Sequence, residues 1–234
     1  MEQSIVSKWL AVANFDSPVS QMILRVWQVF VNGALLWIAA IPYFAFDLLV
    51  GWQPSHGAIW LGCAALAPLF PAVTGLIAVS RDMITERGYV GATGRRFVAA
   101  VVHAAPAVRL TWLMCVATTL FVAYDVALFA GTVAMPASAA AVALTMLSLL
   151  CAASWTLAGR DTAAVGAAPA VRQLAGVIVA TIRKAYLPLV WLFLLAVIIA
   201  ASLLPMIGAC LLAFAPGLWG AVVALVNLTM RFGM

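Results

Sequence analysis

The chain has 234 residues, 67% of them hydrophobic and only 8% charged, with a mean hydropathy of +1.16 and a formal net charge of +5. Soluble domains are about 45–50% apolar and about 25% charged, so these few charges cannot coat a water-soluble globule of this size. Disorder is excluded as well, because it requires low hydrophobicity and high charge.

The composition is that of one integral membrane domain over residues 1–234, all-α and polytopic. Residues 1–20 read as an interfacial segment, with Ile5, Val6, Trp9 and Leu10 resting on the headgroups and Lys8 among anionic lipids. The apolar stretch 9–13 is too short for a signal-peptide core, and Asp16 interrupts it. A helix crossing the hydrocarbon needs about 20 mostly apolar residues, which predicts spans at 27–49, 58–79, 110–129 and 135–157. From Tyr186 to Leu228 the chain is again apolar. A single helix there would be about 65 Å long, twice the hydrocarbon thickness. Dividing it at Pro205 and Gly208 gives spans at 186–204 and 209–231, with a re-entrant bend as the other outcome.

The cations support six spans. Lys8 and Arg25 precede the first; Arg81, Arg87, Arg95, Arg96 and Arg109 lie between the second and third; Arg160, Arg172, Arg183 and Lys184 lie between the fourth and fifth; Arg231 follows the sixth. These are all 12 Lys and Arg residues, and the alternate turns hold none. Positive residues are retained in the cytoplasm, which predicts three outward-turning hairpins with both ends inside. The cytoplasmic connections are 81–109 and 159–185. Each contains an amphipathic stretch predicted as a surface helix, 94–105 and 169–182, offering Arg95, Arg96, Arg172, Arg183 and Lys184 to lipid or a partner protein.

Within the spans, Pro42, Pro71, Gly75, Pro216 and Gly220 are candidate helix breaks. Pro71-Ala-Val-Thr-Gly75 and Pro216-Gly-Leu-Trp-Gly220 echo one another, and matched breaks of this kind mark binding sites in transporters built from repeats; two packing kinks are the simpler alternative. The small-residue stretch 217–220 also permits a homo-oligomer. Asp47 and Asp125 lie toward the outer ends of the first and third spans, with no cation on that side. Ionisable groups inside a membrane are default site candidates, Asp125 more so because it lies deeper. Asn32 and Asn227 occupy inner halves and are placed to bridge the first and last spans. His103 reads as solvated, and His56, in an outer turn, says little alone.

Cys63, Cys115, Cys151 and Cys210 lack the paired spacing of zinc or redox sites and read as buried hydrophobes. No His-Glu-x-x-His, Gly-x-Ser-x-Gly or phosphate-loop motif occurs, so neither catalysis nor a cofactor is expected. Nucleic acid is a poor partner, because the basic residues are interleaved with aliphatics beside the membrane.

Several short motifs carry a resemblance. Asp16-Ser-Pro-Val-Ser, Leu24-Arg-Val-Trp27, Asn32, Leu35-Leu36-Trp37 and Ile41-Pro42, then Pro71-Ala72, then Arg81-Asp82 with Glu86-Arg-Gly-Tyr89, resemble the layout of the YesL-like family of bacterial integral membrane proteins. The chain departs from the family at Phe70, where a Gly is usual, and after Arg95-Arg96-Phe97, where Val-Ala-Ala replaces a more aromatic and cationic run. The resemblance implies a bacterial plasma-membrane protein serving carbohydrate uptake as a non-enzymatic accessory to an ABC-type sugar importer, its permease being the partner. The alternative is an independent small-solute transporter or permease subunit, with a path lined near Asp125 and the Pro/Gly positions. Glu86, Gly91-Ala92, Phe97 and Pro106 loosely resemble a permease coupling loop, with Phe97 and Pro106 too far apart for a comfortable match.

Overall fold

The computed structural model describes residues 18–86, 91–132, 186–202 and 208–232, together with positions 134, 136–141, 143, 172, 175, 179 and 183. Among the described residues there are helices and turns and no strand. In chain order the helices are α1 (Pro18–Leu49), α2 (His56–Leu66), α3 (Leu69–Thr85), α4 (Thr93–Leu128), α5 (Tyr186–Ser202) and α6 (Gly208–Phe232). Among the described residues, four stretches are long and apolar enough to cross a membrane: Val19–Leu49, His56–Thr85, Arg109–Leu128 and Leu212–Thr229.

Local chemistry fixes the helix ends. Pro18 opens α1, where a missing N–H costs nothing. At the other end the N–H groups of Val50 and Gly51 both reach the Phe46 carbonyl, and Gly51 takes φ +68°, a left-handed conformation that glycine adopts freely. The Ser55 hydroxyl accepts the Ala58 N–H and caps α2. Tight turns leave these ends paired, so α1 folds straight back into α2.

Helix directions follow from close contacts. A Cβ on Gly33 would lie 3.2 Å from the Ala213 carbonyl oxygen, and a Cβ on Gly217 would overlap the Val29 carbonyl oxygen. As the α1 number falls from 33 to 29 the facing α6 number rises from 213 to 217, so the two helices are antiparallel and nearly touch backbones. Glycine permits that approach. Beside it, a Cβ on Gly220 would stand 2.7 Å from Leu76 Cγ and 3.0 Å from Ser80 Oγ of α3. Trp191 and Trp219 meet edge to face at 5.7 Å, and the Trp219 indole N–H donates to the Trp191 carbonyl at 3.4 Å. Both residues lie eleven positions from the helix end that faces the 203–207 connection, so α5 and α6 form an antiparallel hairpin. Along α4, Arg96 meets Glu86 at one end and Tyr124 meets Trp60 at the other, so α4 runs antiparallel to the α2–α3 pair over its whole length. Leu76, Val79, Phe97, Trp191, Trp219 and Val223 pack together where α3, α4, α5 and α6 converge.

Arg25, Arg81, Arg95, Arg96 and Arg231 consequently lie toward one end of the bundle, and Asp47, His56 and Asp125 toward the other. The predicted division at Pro205 lies outside the described residues, and Gly208 is the first residue of α6. The predicted span 135–157, most of the 169–182 stretch and residues 1–17 fall largely or wholly outside the described residues.

Four expectations are corrected. The helix continues through Pro42, Pro71, Gly75, Pro216 and Gly220. The break in the second span lies at Ala67 and Pro68 instead, where the Ala67 N–H turns back to the Ala64 carbonyl. Pro71 is the third residue of α3, among N–H groups with no intrahelical acceptor, so it needs no kink, whereas Pro216 sits inside α6. The segment 94–105 is no separate surface helix but the first part of a 36-residue α4. Pro106 forfeits one backbone bond without ending the helix, and the predicted 81–109 connection is part of α4 from residue 93 onward. Finally, Gly217 and Gly220 are buried against α1 and α3 and present no face to a second copy.

Because the Gly217 seam admits no added carbon, Gly217→Ala should lower stability by about 2 kcal/mol or more. Gly57→Ala, where nothing lies within 4 Å, should leave it unchanged or slightly raised. SDS-induced unfolding of both purified variants measures the difference.

Candidate functional site

Polar side chains collect in three places. At the end away from the cations, Tyr124 of α4 joins two residues of α2. The Trp60 indole N–H donates to the Tyr124 hydroxyl at 3.1 Å, and that hydroxyl stands 2.8 Å from His56 Nδ1. The hydroxyl donates to Nδ1 when the ring proton is on Nε2 and accepts from it when the proton is on Nδ1. The His56 and Tyr124 rings also pack at 5.6 Å. Beside this cluster lies a cavity of about 480 Å³. Its walls are the α1–α2 turn (Trp52, Gln53, Pro54), Ile59, one stripe of α4 from Thr119 to Ala127, and Ala130 just past the end of α4. The stripe repeats every three or four residues, as one helix face must. Two lining polar groups are engaged locally: Thr119 Oγ1 donates to the Cys115 carbonyl and Gln53 Nε2 to the Val50 carbonyl. The cavity therefore offers mostly apolar wall, a setting for a hydrocarbon group rather than an ion.

The second collection is internal. Gln28 and Asn32 are 0% exposed, four residues apart on the face of α1 toward the core; Ser80 is 0% and Asn227 4% exposed. Among the described residues, neither amide atom of Asn32 or Asn227, nor the Ser80 hydroxyl, has a hydrogen-bond partner. The proposed Asn32–Asn227 bridge is thus absent, although α1 and α6 do pack: Asn32 neighbours Gly33 at the seam, whereas Asn227 lies two turns beyond Gly220. Thr74 and Trp112, by contrast, are coupled, the indole N–H donating to Thr74 Oγ1 at 3.2 Å. Unpaired groups in pure hydrocarbon cost several kcal/mol each. Asn32, Ser80 and Asn227 all belong to the basic half of the bundle.

The third collection is the basic end. Arg96 and Glu86 form an ion pair at 2.9 Å that ties the start of α4 to the end of α3, with both side chains about half exposed. Such a pair contributes at most about 1 kcal/mol. Arg95 and His103 are exposed, as are Arg172 and Arg183. Lys184 lies outside the described residues.

The other predicted residues are not gathered into one site. Asp47 is exposed, and Asp125 is half-buried beside Tyr124 without lining the cavity. Gly75 faces Val101 and Phe97, and Gly220 faces Leu76 and Ser80, so side chains fill both positions and separate them from Asp125. His56, Trp60 and Tyr124 were not predicted to act together. His56 and Tyr124 are 68 residues apart, and no local pattern links them. The Gln28 and Asn32 pair, one turn apart, was available from spacing.

No protein-family model, curated protein or solved structure matches the chain; the YesL-like resemblance rests on the residues quoted for it.

If the Tyr124 hydroxyl couples α4 to α2, a double-mutant cycle of Tyr124→Phe and His56→Ala should give a coupling energy of about 0.5–1.5 kcal/mol. Additive effects would show that the contact contributes nothing.

Proposed function

We propose that the chain is a six-span protein of the bacterial plasma membrane, three outward-turning hairpins with both ends cytoplasmic, and that it acts without catalysis as an accessory or regulatory subunit of a carbohydrate ABC-type uptake system. The partition of every Lys and Arg onto alternate connections supports the orientation. The observation that carries the accessory role is the packing between α1, α3 and α6. There Gly33, Gly217 and Gly220 are pressed against neighbouring backbone and side chains, which makes this junction a rigid support rather than a path. Asp125 and the Pro/Gly positions, which a transport route would unite, are held apart. The class of partner comes from the family resemblance, which implies the permease of a sugar importer.

The test is co-purification in mild detergent from cells expressing the tagged full chain. An ABC-type permease should be recovered, and Asp125→Asn should recover it equally. Solute uptake by liposomes containing this protein alone, abolished by Asp125→Asn, would establish the transporter reading instead.

A further inference from the structure

We infer that the exposed face of α4 between Arg95 and Arg109 is a docking surface for an acidic amphipathic helix of a partner protein. This rests on the reading of the chain as a membrane-embedded subunit and specifies the surface it would use.

Helix α4 has 36 residues, about 54 Å. Its apolar stretch Arg109–Leu128 has 20 residues, about 30 Å and enough to fill the hydrocarbon. Residues 93–108 therefore continue beyond it for about 24 Å. That extension is held upright on α3: Phe97 and Val101 pack on Gly75, and Arg96 pairs with Glu86. Its opposite face is uncovered. Arg95, Val98, Val102, Pro106 and Arg109 fall on one helical stripe. All are exposed, Val98 at 58% and Val102 at 61%. Two bare valines on a rigid rod, framed by guanidinium groups and with Asp125 the only acid in the helix, complement an apolar ridge flanked by carboxylates.

Lipid headgroups fit less well. Arg95 and Arg109 are fourteen residues apart, about 21 Å along a helix that also crosses the bilayer, whereas the headgroup layer on each side is only about 5–8 Å deep. One headgroup layer reaches Arg109 but not Arg95; an elongated protein partner reaches both. The same spacing recurs at Arg172, Ala175, Val179, Arg183 and Tyr186, all exposed.

The test uses the full chain in phosphatidylcholine nanodiscs and a fluorescein-labelled helical peptide with Leu at i, i+4 and i+7 between Glu residues four turns apart. The acidic peptide should bind, and should weaken at least tenfold on Arg95→Glu with Arg109→Glu and on Val98→Ser with Val102→Ser. Arg96→Ala, which alters the paired arginine, should change binding less than threefold. Equal binding of a peptide with Lys in place of Glu, or indifference to both double variants, would overturn the surface. So would binding that appears only when phosphatidylglycerol is added, which would assign the arginines to lipid. Each of these results concerns this surface alone, since recovery of a permease is measured separately.

Discussion

The hydrocarbon of a membrane is about 30 Å thick, and three helical stretches of this chain are longer. Val19–Leu49, His56–Thr85 and α4 have 31, 30 and 36 residues, about 45–54 Å each. The excess must leave the hydrocarbon, and charge decides where. At one end Leu48, Leu49, Trp52 and Leu128 are exposed together with Asp47 and His56; at the other Arg25, Arg95 and Arg96 are exposed beside Met22, Ile23 and Trp27. On the proposed reading, a bundle that projects from its basic end accounts for the burial of Gln28, Asn32, Ser80 and Asn227 in that half. It also explains why an Arg–Glu ion pair joins α3 to α4 there.

The tight junction of α1, α3 and α6 belongs to the same arrangement. Helices in lipid gain little from the hydrophobic effect against one another and associate by close packing. Gly33, Gly217 and Gly220 let backbones approach, and the edge-to-face Trp191–Trp219 contact anchors α5 to that core. The rigid frame sets off two surfaces, the apolar cavity beside Tyr124 and the uncovered stripe of α4.

Much of this was readable from the chain because its driving forces are local or compositional. Long apolar runs announced helices, and Arg81, Arg95 and Arg96 marked the region where two of them turn. What could not be read depended on which residues meet. Pro71 was expected to break its helix, yet the break at Pro68 leaves Pro71 in a first turn that tolerates proline. The basic amphipathic stretch 94–105 suggested a separate surface helix before the span at 110, yet α3 supports α4 on both sides of Pro106, through Gly75 against Phe97 and Val101 and through Thr74 against Trp112. His56 had no meaning in sequence until Tyr124, distant along the chain, closed over it. Gly217 and Gly220 showed a small-residue face but not whether the chain or a second copy would fill it.

The central claim is that α4 leaves the hydrocarbon near Arg109 and continues as an uncovered rod. Spin labels on introduced cysteines at positions 98, 102, 113 and 121, in a chain with its native cysteines replaced and reconstituted in bilayers, report depth through collisions with oxygen or with a water-soluble nickel chelate. The account predicts nickel-dominated relaxation at 98 and 102 and oxygen-dominated relaxation at 113 and 121. Oxygen-dominated relaxation at all four positions would place the whole helix inside the membrane and contradict it.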